Sequence, residues 1–164
     1  MRAENRILIT TGLTLLAATI FFGLWYAIFD EHQTLVDMVE SLTSAFAQAA
    51  SGNVQQAHAA IDHYASTAAE YRLEVHFHGH FGFLGLIMIL LGLVVHTLGF
   101  NEANRKRLAV VLGGSSFLFP IGVYLQIGPL ASAGHVLAVI GTVGVVFGML
   151  FFVAGLLRTR PEYV

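Results

Sequence analysis

The sequence predicts an all-α membrane protein: a four-transmembrane-helix up-down bundle with an extracytoplasmic helical hairpin between helices 1 and 2. Three observations predict it. Hydrophobic residues make up 56% of the 164-residue chain, charged residues 11%, and mean hydropathy is +0.73, whereas a soluble domain carries about 25% charged residues. Four apolar runs of 19–23 residues recur along the chain, each long enough for a ~30 Å hydrocarbon core at about 1.5 Å per residue. Seven of the eight basic residues flank run ends that an alternating path brings to one side. Residues 1–164 read as a single membrane domain.

The first run, 7–29, follows Arg2 and Arg6. It exceeds the roughly 7–15 residues of a signal-peptide core, and no A-x-A cleavage site precedes Asp30, so it reads as a retained anchor. The other runs are 80–98, 108–127 and 135–157. Pro120, the first proline in the chain, removes a backbone donor from the third run and predicts a kink there. Arg2, Arg6, Arg105, Lys106, Arg107, Arg158 and Arg160 share one side, and the positive-inside rule places both termini and the 101–107 loop in the cytoplasm. The 30–75 segment and the 128–134 loop then lie outside, with Trp25, Tyr26 and Tyr124 near the outer interface. This describes a multi-pass protein of a bacterial-type inner (plasma) membrane, its immediate partner the lipid bilayer.

The 30–75 segment carries seven acids against Arg72 alone, a net charge of −6. Leu35, Val39, Leu42, Phe46 and Ala49 are spaced 4, 3, 4, 3, and Val54, Ala57, Ile61, Tyr64, Ala68, Tyr71 and Val75 alternate 3 and 4. Those are the spacings of coiled-coil seams. Ser51-Gly52-Asn53 is the turn signal between them. The segment therefore reads as an antiparallel stalk that extends spans one and two by roughly 30 Å. It also offers a surface for homo-oligomerisation or for docking a redox partner on the outer side. His32, His58 and His63 fall in it and read as surface or packing residues.

Eight histidines in so apolar a chain need a reason. Ionisable groups at a membrane boundary default to function, and imidazole suits heme, copper and zinc. The chain has no cysteine, which excludes thiolate metal sites and c-type heme attachment. His80 and His135 each fall about one turn below the outer surface, on spans two and four, which run in the same direction. Across an up-down bundle these spans are diagonal neighbours, so the two imidazoles would face each other as the axial ligands of a heme. Gly82, Gly85, Gly92 and Gly99 on span two, with Gly134, Gly141, Gly148 and Gly155 on span four, leave room for a flat macrocycle. Ordinary close packing of membrane helices selects the same residues.

His76 and His80 are four apart and share a helical face, so they could bind one copper or zinc ion. His78 points elsewhere unless Gly79 interrupts the helix, in which case His76, His78, His80 and His135 become one candidate metal set. Tyr124 and Gln126 reach the same depth as candidate hydrogen-bond partners of a cofactor site that also includes His78. His96 lies near the inner end of span two. It reads as hydrogen-bonded there, with a His96/Met149 heme as the alternative.

The segment His78-Gly79-His80-Phe81-Gly82-Phe83-Leu84-Gly85 resembles the H-x-H-x-x-x-L-G opening of a membrane helix in subunit-I-like proteins of the heme–copper oxidase group and their small relatives. Gly134-His135-Val136-Leu137, with Gly141, resembles the G-H-x-L start of a partner helix in those small proteins. The resemblance covers about a tenth of the chain. It implies a heme b ligated by His80 and His135. It does not carry over oxygen reduction, because a full oxidase core uses more helices and histidines than four spans offer.

Three functions follow as expectations. The first is a b-type heme protein that moves electrons near the outer face, or, with a single axial histidine, binds a small gas. The second is a copper- or zinc-binding membrane protein using the outer histidines. No acidic residue lies inside any of the four runs, which argues against a divalent-ion transporter. The third is a non-enzymatic assembly subunit acting through its stalk. Nucleotide-binding glycine loops, nucleophile elbows and paired catalytic carboxylates are absent, and there is no basic patch for nucleic acid beyond the membrane flanks.

Overall fold

The computed structural model describes residues 1–158. Arg160, one of the cationic flanks used to orient the chain, lies outside the described residues. Five α-helices follow one another: α1 (Ala3–Phe29), α2 (Glu31–Ala50), α3 (Val54–Val94), α4 (Glu102–Tyr124) and α5 (Ala131–Leu157), with a 3-10 turn at Val95–Thr97. No strand occurs among the described residues. Four of the helices, α1, α3, α4 and α5, are long and apolar enough to cross a membrane. Helices dominate because a segment in hydrocarbon must satisfy every backbone N–H and C=O within itself.

α1 and α2 are separated by Asp30 alone. Its amide reaches the Tyr26 carbonyl at 2.9 Å and its carbonyl takes the Thr34 amide at 3.0 Å, so helical bonding runs across the junction. α2 ends at Ser51-Gly52-Asn53, where Gly52 takes φ +79°, a left-handed conformation that glycine adopts without steric penalty. α3 is unbroken through Gly79. α4 starts at a side-chain cap, with Asn101 accepting the Asn104 amide at 2.8 Å. It continues through Pro120 and stops at Tyr124, three residues short of the expected end of the third run. Pro120 has no N–H to offer the Ser116 carbonyl, which weakens the helix one turn before it ends.

The chain divides into two compact units. The first comprises residues 1–20 and 76–164, of which 1–20 and 76–158 are described. Its helices approach closely through glycine. A methyl group on Gly12 of α1 would lie 2.5 Å from the Gly85 carbonyl oxygen of α3, and one on Gly92 of α3 would lie 3.1 Å from the Ile9 amide nitrogen of α1. On α5, methyls on Gly141 and Gly148 would strike the Phe119 backbone and the Leu112 side chain of α4. α4 is the most enclosed helix, with half of its apolar window buried. The faces left uncovered are apolar, among them Val139, Val143, Phe147, Leu150 and Phe151 of α5, as a lipid environment requires.

The second unit is residues 21–75. Its buried positions include Ser41 and Ala45 of α2 and Ala57 of α3. Asp37 of α2 accepts from His63 at 3.2 Å and from Thr67 at 3.3 Å, both on α3. The expected seam of α2 is not its contact face: Leu35, Val39, Leu42 and Phe46 are all exposed, Phe46 at 70%. Of the α3 seam, Ala57 is buried while Val54, Ile61 and Val75 are exposed. Small side chains make the close approach instead, and among the described residues Val39 and Phe46 keep most of their surface uncovered.

Burial lifts the Glu74 carboxyl above the usual carboxylate range, with Asp30 and Glu70 adding to the lift and the Tyr26 hydroxyl opposing it. A carboxyl raised in the folded state holds its proton there at pH values where the unfolded chain has released it. Stability therefore falls as pH rises from the ordinary carboxylate value, about 4.3, through the raised one. The Glu74→Gln variant is expected to melt higher at pH 7 and to lose this slope. Thermal melts across pH 4 to 8 check it, and an unchanged slope would show that Glu74 is not its source.

Candidate functional site

His76, His78 and His80 lie on the α3 portion of the first unit. Because α3 is continuous, Gly79 does not open the helix, and His76 and His80 stack on adjacent turns with ring centroids 6.0 Å apart. His80 is half-buried, its ring 4.6 Å from that of Phe119 on α4. His78 points away from this pair, and its Nδ1 is buried without a hydrogen-bond partner. His135 is exposed near the start of α5, next to Gly134, which packs against the Leu125–Gln126 backbone. The Phe119 backbone abuts Gly141 of α5, while its ring meets His80 of α3. α4 thus intervenes between the two histidine-bearing helices at that level.

The other candidates take separate partners. The Tyr124 ring lies 4.8 Å from Phe77. The Gln126 side chain donates to the Gly122 carbonyl at 3.3 Å. Among the described residues no three His, Asp or Glu side chains converge on one metal position.

The glycines answer the question the sequence left open. Gly82, Gly85 and Gly92 of α3 face Thr19, Leu16 and Ile9 of α1. Gly134, Gly141, Gly144 and Gly148 of α5 face α4 or the chain just after it, and Gly155 faces Leu98 and Phe100. Gly99 lies against the Arg158 backbone. These positions are filled by neighbouring backbone and side chains, so they form no slot for a macrocycle between α3 and α5. Gly79 differs: a side chain there would meet nothing within 4 Å. Glycine inside a helix costs about 0.5–1 kcal/mol relative to alanine. In-chain packing explains that cost at Gly82, Gly85 and Gly92 but not at Gly79. The open position lies between His78 and His80 and shares the exposed side of α3 with His76 and Phe83.

At the opposite end of the same unit is a polar cluster that the sequence reading missed. Glu4 is fully buried, and its Oε1 lies 3.2 Å from Arg105 Nε. Arg105 also donates to the Phe100 carbonyl at 2.8 Å. Asn5 Nδ2 donates to the Gly92 carbonyl at 2.7 Å and lies 3.2 Å from His96 Nδ1. This contact fits the hydrogen-bonded reading of His96.

No protein-family model matches the chain, and neither does any curated protein or solved structure.

Proposed function

We propose that the chain is an integral membrane b-type heme protein that moves electrons near the outer face, with the heme against the open position at Gly79 and His80 as an axial ligand. The observation that carries this reading is the conjunction on one side of α3 of the His76–His80 pair and the one glycine of that stretch with no in-chain neighbour. Heme also suits a sparse ligand set. Structural zinc needs four protein ligands and catalytic zinc three, whereas a porphyrin brings its own four nitrogens and asks for one or two side chains. When bound, heme supplies one-electron chemistry or a gas-binding iron. His80 would hold the group, and the apolar surroundings would tune its potential. His80 is the one ligand proposed from this face: His135 lies beyond α4 at the start of α5, His78 is on the other side of α3, and Tyr124 and Gln126 have partners of their own.

The orientation belongs to the same proposal: an up-down path in a bacterial-type inner membrane, both termini cytoplasmic, with residues 30–75 as an outer hairpin. The exposed heptad stripe Leu35, Val39, Leu42, Phe46 is the surface we assign to homo-oligomerisation.

A second reading has its own observation. Imidazoles 6.0 Å apart on adjacent turns are how a helix presents two ligands to one copper or zinc ion.

Two variants test the heme reading. His80→Ala is expected to abolish the heme spectrum. Gly79→Leu is expected to keep helicity and to melt at the same temperature or higher, since the new side chain meets nothing in the chain, yet to cut heme content at least tenfold. Full heme in Gly79→Leu would remove the heme from that face. Carbon monoxide then separates the coordination states: an unchanged reduced spectrum means two axial histidines, and a shifted one means an open iron.

A further inference from the structure

Two grooves flank α4 near its first turns. One, of about 430 Å³, is walled by Leu108, Val111, Phe147 and Phe151, with Arg107 and Arg158 also lining it. The other, of about 400 Å³, runs along Lys106 and Val110 and shares Arg107 and Val111 with the first. Both lie within the first unit; the first is of the size that ligand pockets usually have, ~300–1,000 Å³, while the second is a shallow, open strip lined by α4 alone. The two therefore sit on either side of one ridge, Arg107–Val111, apolar along the helix and cationic at its end. The Arg158 guanidinium is 5.6 Å from the Phe100 ring centroid. The ion pairs among the described residues are Arg105–Glu4 and His63–Asp37, so Lys106, Arg107 and Arg158 are in no direct ion pair there, with Glu102 the carboxylate one turn before Lys106 on α4.

We infer that this ridge binds an anionic phospholipid, its phosphate held by Arg107 and Arg158 with Lys106 beside them, and its two acyl chains lying one in each groove. Charge complementarity selects the headgroup. Basic pockets between membrane helices are where anionic headgroups bind, and arginine grips phosphate through paired N–H donors. The paired apolar grooves select a two-chain lipid over a free anion. The inference does not depend on the heme reading, because it uses no histidine and lies at the opposite end of α4 from Phe119.

The test uses the full chain in nanodiscs or neutral detergent, read by native mass spectrometry and thermal melting. Phosphatidylglycerol is expected to remain bound and to raise the melting temperature, and phosphatidylcholine is not. The Arg107→Gln/Arg158→Gln variant is expected to lose at least tenfold in retained phosphatidylglycerol. Val111→Trp, which fills the shared wall but keeps the charges, is expected to lose it as well. Equal retention of phosphatidylcholine would overturn the proposal, as would undiminished binding by both variants. Stabilisation by inorganic phosphate equal to that by the lipid would show a bare anion site instead. The wild-type comparison of lipids decides the matter even if a variant fails to fold.

Discussion

Replacing Arg105 by alanine is expected to destabilise the protein by about 3–5 kcal/mol, the range for leaving one partner of a buried ion pair without the other. Glu4 has no exposed surface, and Arg105 is its single ion-pair partner among the described residues, through Oε1. Its Oε2 already lacks a hydrogen bond. Arg105 also donates to the carbonyl of Phe100, in the turn that joins α3 to α4, so its loss loosens that connection too. The double variant Glu4→Gln/Arg105→Ala separates these contributions. With the buried charge removed, it is expected to recover part of the lost stability, leaving the cost of the missing turn contact. Denaturant or SDS titration in mixed micelles measures all three proteins. Equal stability of the single and double variants would show that the uncompensated carboxylate is not the main cost.

Gly141→Val is the second large effect. A β-carbon at Gly141 would lie 2.6 Å from Phe119 Cα and closer still to its amide nitrogen, and backbone cannot swing aside as a side-chain tip can. Overpacking typically costs about 1–3 kcal/mol, and a backbone clash between two helices belongs at the upper end. The same substitution would push Phe119 towards His80, so His76 and His80 should register it as well as the melt. Gly114, on α4 with nothing within 4 Å, is the control. Gly114→Ala is expected to be neutral or to stabilise by up to about 1 kcal/mol through helix propensity. A Gly141→Val protein as stable as the parent would mean that α4 and α5 do not pack as described.

These two predictions rest on features of unequal visibility in the sequence. The four long helices could be read there because lipid permits a single chain segment few alternatives, and 19–23 apolar residues already state the length. The His76–His80 pairing was equally legible, since i and i+4 on an unbroken helix must share a face. The seam of α2 was misread for a physical reason. Heptad spacing identifies an apolar stripe but not what covers it, and here Ser41 and Ala45 make the close approach while Leu35, Val39 and Phe46 face out. The glycines of α3 and α5 were ambiguous because a helix neighbour and a macrocycle require the same missing side chain. Only the neighbours found at Gly85 and Gly141, and their absence at Gly79, separate the two. The Glu4–Arg105 and Asn5–His96 contacts were invisible because their partners are 101 and 91 residues apart. No local pattern carries that pairing.

The most direct test of the central proposal is a visible spectrum of the detergent-purified protein, oxidised and then reduced with dithionite, together with a pyridine hemochrome assay. The proposal predicts sharp reduced bands, a b-type hemochrome and at least one axial histidine, with the bands lost in His80→Ala. A colourless protein, free of heme after expression with ample heme supply, would contradict it, and copper and zinc analysis of the same sample would then test the two-imidazole site at His76 and His80.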